Sequence, residues 1–209
     1  MNSAGGRTGA VITAAGLSSR MGAFKPLLTI DGKTFAERCI EAFHDAGISD
    51  VVVVTGHMAD ELEKHVIPLG VTVVRNEDYA LNEMLDSVKL GLAELLEKCD
   101  RTFITPVDAP VFSPDILKHQ LSVLDTGSFC TVMVRHGERT GHPVLLEKLC
   151  MAYVLAYRGG GGLRGAIESF GQPIGYSDAA ESTILMDADT PEDYKCMADA
   201  LRHAKGESS

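Results

Sequence analysis

The chain has 209 residues, 45% of them hydrophobic and 23% charged, which is enough for one α/β domain with a sizeable core. Its formal net charge of −10 at pH 7 argues against a surface that binds nucleic acid, because such surfaces usually carry a basic excess. No apolar stretch approaches the length of a membrane span, so no membrane contact is expected. Five scattered cysteines without a C-x-x-C pair, and the lack of a signal peptide, favour a cytoplasmic protein with reduced thiols.

Apolar runs alternate with helical patterns along the chain, which is typical of a parallel sheet covered by helices. Buried strands are predicted at residues 10–14, 51–55, 71–75, 102–105, 129–134 and 143–146. Helices are predicted at residues 34–45, 85–98, 113–124 and 163–170, with a last one from residue 190. Thr34, Ser113 and Thr190 provide the N-caps of three of these helices. We therefore expect one three-layer α/β/α domain over residues 9–204, with flexible tails at residues 1–8 and 205–209.

The segment directly behind the first strand, residues 14–28, carries the strongest functional signal. Its glycines, Gly16 and Gly22, allow backbone N–H groups to approach a polyanion closely. Arg20 and Lys25 add positive charge where phosphates would lie. The segment lacks both the Walker A ending and the G-x-G-x-x-G spacing. It predicts a phosphate-binding loop of another type, although a plain turn with two surface cations would have a similar composition.

Carboxylates at two further places suggest a metal site. Asp108 follows a predicted strand and lies between two prolines that restrict the backbone. Carboxylates at the C-terminal ends of parallel strands lie where ligands bind, and Mg²⁺ prefers one or two of them together with phosphate oxygens and water. Asp187 and Asp189 are two residues apart, so on an extended segment both side chains point the same way. The alternatives are a turn aspartate that caps local amides and acids that flank a helix N-terminus.

The order G-x-S-x-R-M-G-x-x-K-x-L-L in residues 16–28 resembles the signature loop of nucleotidyltransferases with a glycosyltransferase-A-like fold. The segments TPVDAPVFSP and DADTPED are similar to the metal-aspartate and closing segments of the same proteins. The subset that the chain most resembles is the molybdenum cofactor cytidylyl- and guanylyltransferases and their relatives. The resemblance implies a Rossmann-like fold and the transfer of a nucleoside monophosphate from a nucleoside triphosphate to a phosphorylated acceptor, with release of pyrophosphate.

The resemblance also implies roles for individual residues. Arg20, Lys25 and Asp108 would be catalytic, and Asp108 would hold Mg²⁺ or Mn²⁺ together with Asp187, or with Asp189 in its place. The residues implied in nucleotide binding are Ala14, Ala15, Gly16, Ser18, Ser19, Arg20, Gly22, Lys25, Thr55, Gly56, Asn76 and Ser87.

The choice of substrates is implied less directly. Cytidylyltransferases of the family begin the loop with Ala-Gly and guanylyltransferases with Gly-Gly, so Ala15-Gly16 favours CTP over GTP. His142, Gly162 and Arg164 lie where the family recognises the acceptor. Many members carry an aspartate in the glycine run where this chain has Gly160, which leaves the acceptor open.

Molybdopterin cofactor is the expected acceptor, with a sugar phosphate or polyol phosphate as the alternative, and a molybdoenzyme or its chaperone is a further expected partner. A non-catalytic nucleotide-binding accessory protein is the alternative from another class.

Overall fold

The computed structural model describes residues 6–17 and 21–204 of the chain. The strands are β1 (Thr8–Thr13), β2 (Thr29–Ile30), β3 (Lys33–Thr34), β4 (Asp50–Thr55), β5 (Thr72–Arg75), β6 (Arg101–Pro106), β7 (Thr131–His136), β8 (Arg139–Glu147) and β9 (Ile174–Asp178). The α-helices are α1 (Phe35–Asp45), α2 (Ala59–Val66), α3 (Met84–Leu95), α4 (Pro114–Thr126), α5 (Lys148–Ala156), α6 (Gly162–Phe170) and α7 (Pro191–Ala204).

Within the described ranges, seven strands form one sheet in the order β5-β4-β1-β6-β8-β7-β9. β8 runs antiparallel to its neighbours β6 and β7, and the other six strands run in one direction. The chain leaves β1 toward β4 and β5 and then returns to form β6 on the other side of β1. The strand order therefore reverses between β1 and β6, and ligands bind at this kind of switch point in open α/β sheets.

Helices cover both faces of the sheet. Ala10 and Ile12 of β1 pack into a core beneath α1, α2, α4 and α7, whereas Val11 packs into a second core beneath α3, α5 and α6. This separation follows from the alternation of side chains along a strand, which sends successive residues to opposite faces. The prediction of a three-layer α/β/α arrangement with a mostly parallel sheet is confirmed.

Each predicted strand and helix has a counterpart in the structure, with shifted ends. β1 begins at Thr8, and Arg7 just before it donates from Nε to the Asp50 carboxylate over 2.6 Å. Five of the strands and α-helices in the described ranges were not predicted: β2, β3, α2, α5 and β9. None of the helices in residues 6–17 and 21–204 is both long and apolar enough to cross a membrane.

Candidate active site

Two loops meet at the switch point, one behind β1 and one behind β6. The N–H of Ala14 donates to the carbonyl of Val54 over 2.8 Å, and the N–H of Val107 donates to the carbonyl of Thr13 over 3.0 Å. These bonds continue the sheet ladder past the strand ends, so both loops leave the sheet in fixed directions. The signature loop and Asp108 are thereby held side by side.

These loops border a cleft of about 380 Å³, called the first cleft below. It is lined by residues from 13–16, 25–26, 79–87 and 106–108, and by His142 and Asp187. Seven of the predicted site residues line it in addition to His142: Ala14, Ala15, Gly16, Lys25, Ser87, Asp108 and Asp187. The structure thus brings together, in one cleft, residues that are up to 173 positions apart in the sequence.

Lys25 lies at the centre of the charged groups in this cleft. Its Nζ donates to Oδ2 of Asp108 over 2.8 Å and to Oδ1 of Asp189 over 2.6 Å. The side chain of Lys25 is only 11% exposed. Burial lowers the pKa of the ammonium, but the hydrogen bonds to Asp108 and Asp189 outweigh this effect and raise the pKa above its ordinary value. Lys25 is therefore a charged lysine held between two carboxylates.

The two acids that closely flank Ala188 have different surroundings. The N–H of Ala188, which is fully buried, donates to the backbone carbonyl of Asp108 over 3.0 Å. This bond docks the segment against the loop behind β6. Asp187 then lines the first cleft, whereas Asp189 contacts Lys25.

The donor set in the first cleft suits Mg²⁺ that arrives with phosphate oxygens. Asp108 and Asp187 both line the cleft, and Mg²⁺ needs only one or two carboxylates when phosphate and water complete its coordination. In the described part of the chain, no group of three or more His, Cys, Asp or Glu side chains could hold a metal by itself. The residues present therefore fit a metal shared with a ligand and do not form an all-protein cage.

Gly56 allows the signature loop to pack tightly against β4. A Cβ atom at this position would lie 2.8 Å from the Cβ atoms of Ala15 and Tyr79. Thr55, which was also predicted to bind nucleotide, is buried and donates from Oγ1 to Glu63 over 2.8 Å. Thr55 is thus hydrogen-bonded to α2, and Gly56 supports the wall of the cleft from behind.

Asn76 and Ser87, both predicted to lie near the nucleobase, are hydrogen-bonded to each other. Nδ2 of Asn76 donates to Oγ of Ser87 over 3.0 Å, and both residues are buried. Oδ1 of Asn76 accepts from the N–H of Asp78 and from Nδ2 of Asn82, each over 3.2 Å. Asn76 therefore organises the loop between β5 and α3, and Ser87 faces the first cleft.

That loop also contributes residues that the sequence did not identify. Tyr79 and Asn82 of this loop, and Met84 at the start of α3, line the first cleft. The Tyr79 ring packs near His57 with 6.0 Å between ring centroids. The aromatic Tyr79, in a loop already bounded by Asn76 and Ser87, was a signal that could have pointed to this wall.

A second cleft of about 370 Å³ adjoins the first. The two clefts share Met84 and His142. The second cleft is lined by Met84, Met133, Thr140, Gly141, His142, Val144, Gly161, Gly162, Leu163, Arg164 and Ile167. All three predicted acceptor-binding residues, His142, Gly162 and Arg164, therefore line this one cleft.

Arg164 and Gly162 form the polar rim of the second cleft. Nη2 of Arg164 donates to Oγ1 of Thr140 over 3.1 Å, and the Arg164 side chain is 69% exposed. Gly162 is the first residue of α6, where helix N–H groups have no partner within the helix. A guanidinium and a helix N-terminus on one rim suit an anionic group.

His142 lies at the junction of the two clefts. Burial lowers the pKa of its imidazole, although Asp108 and Asp187 oppose this shift. Its Nδ1 is buried and has no hydrogen-bond partner within the described residues. His142 is therefore a neutral imidazole at pH 7 that places a polar nitrogen between the two clefts.

Four predicted nucleotide-binding residues remain, and all four belong to the signature loop. Ser18, Ser19 and Arg20 lie outside the described residues. Gly22 has a backbone φ of 67°, which glycine adopts readily, and it turns the chain ahead of Lys25.

Comparisons with known proteins identify the family of this chain. Residues 10–174 match the MobA-like NTP transferase domain. Molybdenum cofactor cytidylyltransferase of Escherichia coli K12 is 31% identical over 186 residues, covering 88% of this chain and 92% of that protein. 2-Aminoethylphosphonate cytidylyltransferase of Lancefieldella rimae is 29% identical over 120 residues, covering 54% of this chain and 47% of that protein.

A solved structure of a nucleotidyl transferase from Methanothermobacter superposes with a TM-score of 0.81 at 25% identity, covering 95% of this chain and 100% of that one. The expected nucleotidyltransferase fold is therefore confirmed. The family match extends over most of the chain, and the Escherichia coli relative is similar over nearly its whole length. The chain belongs to the MobA-like NTP transferase family of nucleotidyltransferases.

Proposed function

We propose that this protein transfers CMP from CTP to molybdopterin cofactor and releases pyrophosphate, with Mg²⁺ or Mn²⁺ as the metal. The observation that carries the proposal is the first cleft, where Lys25, Asp108 and Asp187 meet beside the backbone of the signature loop. Two relatives described as cytidylyltransferases support CTP as the donor. Ala14, Ala15 and Ser87 form the wall where the base would lie.

In the reaction, a phosphate oxygen of the acceptor attacks the α-phosphorus of CTP in line. The new P–O bond forms as the bond to the oxygen that bridges the α- and β-phosphorus breaks, and pyrophosphate leaves with that electron pair. Mg²⁺ would neutralise charge on the phosphate oxygens and orient them. Asp108 and Asp187 would hold it, and Lys25 would bind the negative charge that develops on the departing phosphates.

The charges in the first cleft support a metal requirement. The ammonium of Lys25 is already shared by Asp108 and Asp189, and Asp187 adds a third carboxylate nearby. A triphosphate that enters a cleft with this excess of carboxylates needs additional positive charge. Arg20, which lies outside the described residues, and a divalent cation are the sources that the proposal assigns.

The second cleft supports an acceptor with a flat ring. Its floor is formed by Met133, Val144, Leu163 and Ile167, while Arg164 lies at the rim. A pterin ring would stack its flat face on these apolar side chains, with its polar edges directed to Thr140, His142 or solvent, as its phosphate approached the rim. A polyol phosphate would leave its hydroxyl groups against side chains that cannot hydrogen-bond, which is unfavourable.

The test measures pyrophosphate release with CTP, GTP, ATP or UTP, with molybdopterin cofactor, a polyol phosphate or 2-aminoethylphosphonate as acceptor. We expect the fastest turnover with CTP and molybdopterin cofactor, and loss of turnover in EDTA. If the protein binds CTP but no pair releases pyrophosphate, it is a nucleotide-binding accessory protein and the proposal is wrong. Turnover that requires GTP would show that the donor is not CTP, and turnover that requires a polyol phosphate would show that the acceptor is not molybdopterin cofactor.

Asp108→Asn tests the metal role with the side-chain volume preserved. We expect kcat to fall at least about 100-fold, since charge stabilisation at the transferred phosphate is among the largest catalytic effects. Asp115→Asn is the matched control, because Asp115 lies seven residues further along in α4 and its side chain is 91% exposed. Wild-type turnover in Asp108→Asn would remove Asp108 from the metal site.

A further inference from the structure

The contact between Lys25 and Asp189 joins two segments that are 164 positions apart. Lys25 begins the 3-10 helix Lys25–Leu27, near the end of the signature loop. Asp189 comes just before α7, near the end of the chain. Their Nζ–Oδ1 distance of 2.6 Å is that of a short charge-assisted hydrogen bond. The side chains are 11% and 29% exposed, so water screens this pair less than a surface ion pair.

The backbone around Asp189 is fixed on both sides. On one side, the N–H of Ala188 donates to the carbonyl of Asp108. On the other side, Thr190 and Asp193 cap α7 reciprocally: Oδ2 of Asp193 accepts from the N–H of Thr190 over 2.8 Å, and the N–H of Asp193 donates to Oγ1 of Thr190 over 3.2 Å. Asp189 thus has little freedom to leave Lys25.

A second bond ties α7 to the same part of the chain. The hydroxyl of Tyr194 donates to the carbonyl of Thr29 over 2.6 Å, four residues beyond Lys25. Met197 of α7 is fully buried in the core that includes Ile30. The helix that follows Asp189 is therefore hydrogen-bonded to, and packed against, the segment that follows Lys25.

Asp187 and Asp189 consequently have separate tasks. An ammonium donates in three directions, and carboxylates from two different segments set its orientation better than one could. We infer that Asp189 is a positioning residue that holds Lys25 toward the first cleft, and that Asp187 is the acid that serves the metal. This inference rests on the proposed function. It concerns a segment beyond residue 174, where the match to the family domain ends.

Three substitutions of the same chemistry separate these tasks. Asp189→Asn should lower kcat by roughly tenfold to 100-fold, because Lys25 loses a charged partner. The KM for CTP should change less than about threefold in saturating Mg²⁺, where the metal also holds the phosphates. The Mg²⁺ concentration for half-maximal rate should stay at the wild-type value in Asp189→Asn and rise at least about tenfold in Asp187→Asn. Asp199→Asn, in the exposed Asp199–Arg202 pair of α7, is the control and should match the wild type.

The double variant Lys25→Ala/Asp189→Asn decides whether Asp189 acts through Lys25. If it does, the double variant has the same kcat as Lys25→Ala alone. Multiplied losses, or a raised Mg²⁺ requirement in Asp189→Asn, would overturn the inference. Asp189→Glu, which keeps the carboxylate, should recover part of the lost kcat. A thermal melt checks that each variant is folded.

A binding measurement separates failure of this inference from failure of the proposed function. If the wild-type protein releases no pyrophosphate, the Kd for CTP is measured by calorimetry in EDTA for the same four proteins: wild type, both single variants and the double variant. We expect the effect of Asp189→Asn on the Kd to differ between the wild-type and Lys25→Ala backgrounds. Equal effects in the two backgrounds would overturn the inference whatever reaction the protein catalyses.

Discussion

Gly56→Ala should displace the walls of the first cleft without touching a ligand. A Cβ at residue 56 would lie 2.8 Å from the Cβ atoms of Ala15 and Tyr79, and 2.9 Å from the carbonyl oxygen of Ala15. All three atoms belong to, or lie next to, the backbone, so none can rotate away. Ala15 and Tyr79 both line the cleft, so the added methyl group must push its walls.

The magnitude follows from these distances. Carbon atoms in contact lie about 3.5–4.0 Å apart, so the loops must move by at least about 0.7 Å. Overpacking of this kind costs about 1–3 kcal/mol of unfolding free energy, which for a domain of this size lowers Tm by about 2–12 °C. Because a misplacement of about 1 Å can reduce a rate about 100-fold, we expect kcat/KM to fall about 10- to 100-fold.

The assay combines a thermal melt with pyrophosphate release under saturating Mg²⁺. Gly175→Ala is the control, because Gly175 lies in β9 and lines neither cleft. A Cβ at this position would also be overpacked, at 2.7 Å from the ring of Phe129. We expect the control to lose thermal stability while its kcat/KM stays within about twofold of wild type. Wild-type kcat/KM in Gly56→Ala, or an equal loss in both variants, would refute the reasoning.

Three further predictions concern stability. Phe43→Ala removes a fully buried ring that packs 5.2 Å and 5.9 Å from two other Phe rings, and should lower the unfolding free energy in urea by about 3–5 kcal/mol. Ser87→Ala leaves buried Nδ2 of Asn76 without its acceptor and should cost about 1–3 kcal/mol in the same measurement; an unchanged value would show that water replaces the hydroxyl. The hydrogen bond from Arg75 lowers the pKa of Glu63 below its ordinary 4.5, so this pair stabilises the fold above that pH and the contribution disappears as the pH falls through the lowered pKa. Arg75→Met should therefore lower Tm at pH 7, with a difference from wild type that shrinks below pH 4.5.

Capping residues mark the first residue of several helices that the sequence predicted. Thr34 and Glu37 form the capping box expected at the start of α1, and Ser113 caps α4 through the N–H of Ile116. α2, in contrast, begins after Met58, which has a left-handed backbone and no side-chain cap. α5 likewise begins after Glu147 without a side-chain cap. Tertiary packing decides these two helices, and short-range patterns do not contain that information.

The sequence also predicted the local parts of the site better than its long-range pairs. The short patterns around Gly16, Lys25 and Asp108 predicted phosphate and metal binding from local sequence alone. All three residues line the first cleft. The contact between Lys25 and Asp189 depends on how α7 docks, which no local pattern encodes. The bond between Asn76 and its partner in α3 has the same origin. All four of these residues were predicted to contact a ligand or a metal, and the structure also pairs them by hydrogen bonds to one another.

The arrangement of carboxylates around Lys25 bears on how the nucleotide enters. A lysine that faced the first cleft alone would attract a triphosphate by itself, but Asp108 and Asp189 already neutralise Lys25, and Asp187 adds negative charge. Attraction must therefore come from charges that arrive with the nucleotide or from Arg20. It follows that CTP affinity should depend steeply on the divalent cation, and that Asp187→Asn should strengthen CTP binding in EDTA while it weakens binding in Mg²⁺. Calorimetry in the two buffers measures both, and equal changes in the two would mean that Asp187 does not serve the metal.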